Sequence, residues 1–160
     1  MTPAFRPGLT RLSGKSWNKV TQPRTIALIG IGAIADLIAV ALAEIPRAKL
    51  VAGSCRTEAK GNTFADRFSC KWFADAERML DEIKPDAAIV CTPSGAHLEA
   101  VLACTAREIH VCCEKPLEIT PERVQKMIDA AHLHRRPRRD GRGVRRSVDS
   151  VQVPRGAAAG

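Results

Sequence analysis

Apolar residues recur through the middle of the chain in two alternating rhythms. Short unbroken runs that end in Gly or small polar residues are separated by stretches where apolar positions return every three or four residues. Arg24-Thr25-Ile26-Ala27-Leu28-Ile29-Gly30 is the first run and reads as a buried parallel strand. Ile34, Leu37, Ile38, Ala41, Leu42 and Ile45 follow at helical spacing, with Ala35, Ala39 and Ala43 small enough for close packing and Pro46 as terminator. Lys49–Gly53 is a second strand, Glu58–Phe68 a second helix and Cys70–Phe73 a short third strand. Asp75 caps a helix to about Ile83. Ala87–Thr92 is a fourth strand, and Leu98, Val101 and Leu102 stripe the next helix. Ile109–Cys113 is a fifth strand, and Cys91, Cys112 and Cys113 read as small core residues of their strands. Thr120 as N-cap, Pro121 at the first helical position and Glu122 behind it open a last helix, striped by Val124, Met127, Ile128 and Ala131. Five strands alternating with helices predict an α/β protein with a doubly wound parallel sheet, whose ligands bind beyond the carboxyl ends of the strands.

Composition sets the ends apart from this middle. The net charge is +8, yet residues 26–131 hold 12 basic and 15 acidic residues. The basicity comes from residues 1–25, with five basic and no acidic residues, and from residues 132–160, with eight Arg and two Asp. A nucleic-acid-binding domain carries its basic face on the folded part, so nucleic acid is not expected as a partner. Residues 1–22 read as a disordered leader. The absence of acidic residues resembles a transit peptide, but Pro3, Pro7 and Gly8 interrupt any amphipathic helix. Residues 132–160 have too few large apolar residues to offset ordering entropy. They read as a basic tail that touches polyanions, a passive solvated tail, or translation in a shifted frame. The domain expected between these ends is residues 23–131. No run is long and apolar enough for a membrane span, and the six cysteines show no CxxC pair or zinc spacing. Free thiols, a reducing cytoplasmic location and no metal site follow as expectations.

The chemistry begins at the first turn. Gly30-Ile31-Gly32-Ala33-Ile34-Ala35 is GxGxxA between a strand and a helix. Gly30 makes the tight turn, Gly32 admits a pyrophosphate to the backbone, and Ala35 lets the helix pack on the sheet. The helix N-terminus, at Ala33 and Ile34, offers amides to the anion. An acidic residue at the end of the second strand would select NAD through the ribose hydroxyl. The chain instead reads Gly53-Ser54-Cys55-Arg56-Thr57. Ser54 and Thr57 can donate hydrogen bonds and Arg56 can pair with a 2′-phosphate, which favours NADP and leaves NAD as the alternative.

Two further strand ends carry Thr92-Pro93-Ser94-Gly95-Ala96-His97 and Glu114-Lys115-Pro116-Leu117. With the glycine turn, these make residues 24–131 resemble the N-terminal domain of the Gfo/Idh/MocA family, which includes glucose–fructose oxidoreductase and inositol dehydrogenases. The resemblance implies hydride transfer between a nicotinamide and a carbon bearing a hydroxyl in a sugar or cyclitol. It implies that Lys115 is the catalytic lysine, hydrogen-bonding the reacting oxygen. Glu114 would orient Lys115 and line the nicotinamide side, and Pro116 would follow a cis peptide bond. Thr92, Pro93 and Ser94 would border the dinucleotide, and His97 would cap that turn near the cofactor.

Members of that family continue into an α+β domain that binds substrate, where this chain turns into its Arg-rich tail. Two functions are therefore expected. One is the nucleotide-binding domain of an oxidoreductase, truncated and inactive alone, whose polyol or sugar substrate requires the second domain. The other is a stand-alone dinucleotide-binding or sensor module that meets a partner through its basic tail.

Overall fold

The computed structural model describes residues 22–133. The expectations for the leader and the tail fall outside these residues, apart from Gln22, His132 and Leu133. Five parallel strands form one sheet: β1 (Arg24–Ile29), β2 (Ala48–Ser54), β3 (Lys71–Phe73), β4 (Ala87–Val90) and β5 (His110–Cys113). The helices between and after them are α1 (Ala33–Ala43), α2 (Glu58–Phe68), α3 (Ala76–Ile83), α4 (His97–Ala106) and α5 (Pro121–Leu133). The spatial order is β3-β2-β1-β4-β5. The chain leaves β1 in one direction, returns past it and continues on the other side, so the switch point lies between β1 and β4.

Two apolar layers hold this arrangement. Leu28, with Ile31, Ala35 and Ala39 from the α1 region and Phe64 from α2, forms one cluster. Ala27, Ile29, Ala88 and Val90 pack on Met79 and Leu80 of α3, Leu98, Val101 and Cys104 of α4 and Met127 of α5 in the other. Side chains that alternate along β1 therefore enter opposite layers, as the pleat requires. Leu28, Met79 and Leu80 are fully buried, each contributing roughly 1.5–3 kcal/mol by transfer from water. Asp75 caps α3 by accepting from Arg78 N at 2.7 Å, and Thr120 caps α5 by accepting from Arg123 N at 3.3 Å.

Three side-chain expectations are corrected. The stripe expected for α1 is split: Leu42 is buried and Ile38 packs on the Leu28 cluster, but Ile34 (47% exposed), Leu37 (67%) and, just past the helix, Ile45 (48%) face outward, while Ala35 and Ala39 are buried. The short side chains of Ala35 and Ala39 bring the helix close to the strands. Leu102 of α4 is likewise exposed. Among the strand cysteines, Cys112 is exposed rather than part of the core, because it lies with His110 on the face of β5 opposite α4. Among the described residues no helix is long and apolar enough to cross a membrane.

Candidate functional site

The parallel ladder runs one step past the strands and ties their loops into a row. Cys55 N donates to Phe73 O (3.1 Å), Gly30 N to Ser54 O (2.9 Å), Cys91 N to Ile29 O (2.7 Å) and Glu114 N to Val90 O (3.0 Å). The glycine turn, the loop after β2, the turn after β4 and the loop after β5 thus share the carboxyl edge of the sheet. From β2 to β5 this edge spans about 14 Å at ordinary strand spacing.

Gly30 has φ +92°, and a Cβ there would stand 2.7 Å from Thr92 N, so only glycine lets the β1 turn lie against the β4 turn. Gly32 differs: its backbone is extended (φ −153°), and a Cβ would meet nothing within 4 Å. It is the N-cap of α1 with no side-chain capping bond, and Asp36 N donates to its carbonyl at 3.0 Å. The first-turn amides ahead of Asp36 have no intrahelical acceptor. An anion with its own bulk fits this bare backbone. Ala33 and Ile34 are exposed beside it.

In the loop after β2, Ser54 is buried, while Arg56 and Thr57 lie at the surface. The loop is braced from β3, where Trp72 Nε1 donates to Cys55 O at 3.1 Å. Gly61 makes room for that indole, since a Cβ there would fall 2.1 Å from Trp72 Cδ1.

On the other side of the switch point, Thr92 Oγ1 donates to Ala96 O at 3.3 Å, closing the Pro93-Ser94-Gly95 turn. His97 is 1% exposed and faces the protein, not the crevice. Its Nε2 lies 2.6 Å from Thr92 O and its Nδ1 2.9 Å from Leu117 O. Both ring nitrogens thus face backbone carbonyls, one from each loop. Lys115 is exposed with no hydrogen bond or ion pair among the described residues, and the Lys115–Pro116 peptide is cis. Glu114 makes no bond to Lys115, so its carboxylate does not orient that lysine as expected. The loop is held elsewhere. Glu118, whose side chain is fully buried, accepts from Leu98 N (3.2 Å), Ile119 N (2.8 Å) and Arg123 Nη2 (3.0 Å). The same Arg123 nitrogen lies 2.8 and 3.0 Å from the Glu99 oxygens and 3.1 Å from Gly95 O. Arg123, helped by the two backbone amides, holds the Glu118 carboxyl down to about 2.

Every cofactor-side residue named from the sequence therefore lies on or beside one edge of the sheet. Glu118, Arg123, Glu99 and Trp72 were not named. Their only sequence signal is a carboxylate two residues before the Thr120 cap with an arginine five positions later. Burial and Glu114 push the Cys91 thiol up to about 12, so it is no ready nucleophile. Among the described residues no group of three or more His, Cys, Asp or Glu could hold a metal ion.

Comparison with known proteins agrees with this geometry. Residues 24–137 match the sequence model of an oxidoreductase family with an NAD-binding Rossmann fold. The chain is 32% identical over 113 residues to the D-glucoside 3-dehydrogenase of Escherichia coli, covering 69% of this chain and 32% of that protein. It is 32% identical over 105 residues to the myo-inositol 2-dehydrogenase of Thermotoga maritima, covering 65% and 31%. The crystal structure of the WlbA dehydrogenase of Chromobacterium violaceum, in complex with NADH and UDP-GlcNAcA, superposes with a TM-score of 0.70 at 28% identity over 72% of this chain and 34% of that one. The chain spans about a third of the length of the curated relatives it matches.

Proposed function

The chain belongs to the Gfo/Idh/MocA oxidoreductase family and carries its NAD-binding Rossmann domain, and from that premise we propose that residues 23–131 bind NADP in preference to NAD across the carboxyl edge of the sheet. Dinucleotide binding is supported by Gly32, a bare extended backbone at the head of α1 beside the switch point, and the preference for NADP by Arg56, exposed after β2 where NAD would call for an acidic residue. Gly30, Gly32, Ala33 and Ile34 would hold the pyrophosphate. Ser54 and Arg56 would meet the adenosine ribose, and Arg56, exposed without an ion-pair partner among the described residues, would take a 2′-phosphate. Thr92, Pro93 and Glu114 would border the nicotinamide side, and His97 would hold the turn that carries them.

The reaction class proposed is oxidation of a CH–OH group in a sugar or cyclitol, after the substrates named for the glucoside and inositol dehydrogenases. The nicotinamide supplies hydride acceptance when bound. Lys115 would donate a hydrogen bond to the substrate oxygen and stabilise the alkoxide that forms there. Six free thiols favour a reducing compartment such as the cytoplasm.

The test is titration with NADPH and NADH by protein fluorescence, on the wild type and Arg56→Ala. Tighter NADPH binding is expected, and Arg56→Ala should cost NADPH about tenfold, the worth of one charge-assisted contact. NADH bound as tightly as NADPH by the wild type overturns the NADP preference. No binding of either overturns the assignment of these residues.

A further inference from the structure

Lys115 must be aimed by something, yet it makes no hydrogen bond or ion pair among the described residues, with Glu114 or any other. Its loop is instead fastened two to four residues further on. Leu117 O receives His97 Nδ1, the Glu118 carboxylate receives Leu98 N, and Ile119 N turns back onto that carboxylate. Consecutive residues 97–98 thus grip consecutive residues 117–118. The grip reaches the other loop as well, because His97 also meets Thr92 O and Arg123 meets Gly95 O. A carboxylate stripped of water in this way is costly unless paired, and Arg123, two backbone amides and the neighbouring Glu99 pair complete its surroundings. Arg123 Nη2 faces more acceptors than it has hydrogens, while the buried Arg123 Nε has no partner. The network is crowded around one carboxylate, and that carboxylate sits three residues from the lysine.

We propose that Glu118 is a positioning residue: through Leu98, Ile119 and Arg123 it locks the Lys115 loop to the Thr92–His97 turn, and so sets the half of the cofactor site that lies beyond β4 and β5. This rests on the reading that these two loops border the dinucleotide. Besides Glu118, the loop is held only by Glu114 N on Val90 O at its base and by His97 on Leu117 O among the described hydrogen bonds, so loosening Glu118 lowers the fraction of molecules whose loops are set for binding. The apparent dissociation constant rises in inverse proportion to that fraction.

The experiment uses the full chain as wild type, Glu118→Ala, Glu118→Gln and Arg123→Lys. Each is titrated with NADPH, NADH and ADP-ribose, the last reaching the phosphate turn and the β2 loop but carrying no nicotinamide. Amide hydrogen exchange is measured on the ligand-free proteins. Glu118→Ala should weaken dinucleotide binding about tenfold, a tenth of the molecules remaining set, and leave ADP-ribose within twofold. Amides of residues 94–98 and 117–119 should exchange faster while β1 and β4 keep their protection. Glu118→Gln, which still accepts at one oxygen, should fall between, and Arg123→Lys should partly preserve binding. Equal losses for dinucleotide and ADP-ribose, or unchanged exchange in both loops, overturn the proposal. If the wild type binds neither ligand, the cofactor reading fails, while the exchange data still decide whether Glu118 locks the loops.

Discussion

Gly30 and Gly32 stand two residues apart in one motif, yet the structure gives them separate work, and a pair of alanine substitutions separates it. Gly30→Ala forces an L side chain into φ +92° and places its Cβ 2.7 Å from Thr92 N and 2.9 Å from Thr92 Cα. The backbone conformation costs roughly 1–2 kcal/mol. The overlap falls on main chain rather than on a side chain that could swing away, so overpacking adds roughly 1–3 kcal/mol. The sum, about 2–5 kcal/mol, is a large part of the stability of an ordinary domain. Gly32→Ala meets neither problem: its φ is extended and nothing lies within 4 Å of the new methyl. The altered cap costs a few tenths of a kcal/mol, and the stiffer unfolded chain returns about 0.4–1 kcal/mol. Urea unfolding followed by far-UV circular dichroism reads both variants. With a slope of about 1.5 kcal/mol per molar, Gly30→Ala lowers the midpoint by about 1–3 M, and Gly32→Ala moves it by less than about 0.7 M. Dinucleotide titration should show the reverse for Gly32→Ala, with binding weakened at least tenfold, because the methyl occupies the space the pyrophosphate would enter. Equal destabilisation by the two variants, or undiminished binding by Gly32→Ala, would refute the assignment.

Two further perturbations test other parts of the fold. Asp86 accepts from Thr25 N and Thr25 Oγ1 at 2.9 Å and from Arg24 at 2.8 Å, which lowers its carboxyl below the ordinary range; Asp86→Asn should cost about 1 kcal/mol at pH 7. A depressed carboxyl contributes above its unfolded value and loses that contribution as pH falls through the folded one, so the gap in urea midpoint between wild type and Asp86→Asn should be constant above about pH 5 and narrow progressively as pH falls below about 4, and a gap that does not narrow in acid would contradict this. Leu37→Lys with Ile45→Lys should leave stability within about 0.5 kcal/mol and reduce binding of the apolar dye ANS, since Leu37 on α1 and Ile45 just past its end are both exposed. A loss above about 2 kcal/mol would mean that these side chains are packed after all.

The order of strands and helices was legible because it depends on local rhythm. Each buried parallel strand is a short apolar run, and each crossover helix has its own spacing and cap, as with Asp75 and Thr120. The orientation of α1 was less so. The expected stripe, Ile34, Leu37, Ile38, Ala41, Leu42 and Ile45, is split: Ile38 and Leu42 turn inward beside Ala35 and Ala39, while Ile34, Leu37 and Ile45 do not. Hydrophobicity ranks Ile34 and Leu37 above Ala35 and Ala39, and so misses a face built for close approach. The glycine motif itself held the answer, since Ala35 is its close-packing position. Cys112 misled for a related reason. An apolar strand was read as buried on both faces, and β5 is covered by α4 on one face only.

The site divides along the same line between local and distant causes. The phosphate turn and the loop after β2 are fixed by backbone bonds of the ladder, Gly30 N to Ser54 O and Cys55 N to Phe73 O, which most side-chain changes leave intact. Their sequence signal is correspondingly compact. The loops after β4 and β5 have a backbone bond each at their base, but beyond it they are joined by His97, Glu118 and Arg123, which meet only when α5 packs on α4. Residues 26 apart in sequence, such as His97 and Arg123, carry no mutual signal when read singly. Substitution should therefore act unequally across the edge. Before Cys91 only the glycines and the brace of Trp72 on Cys55 are critical, whereas beyond it the placement of Lys115 depends on charged side chains that never touch it.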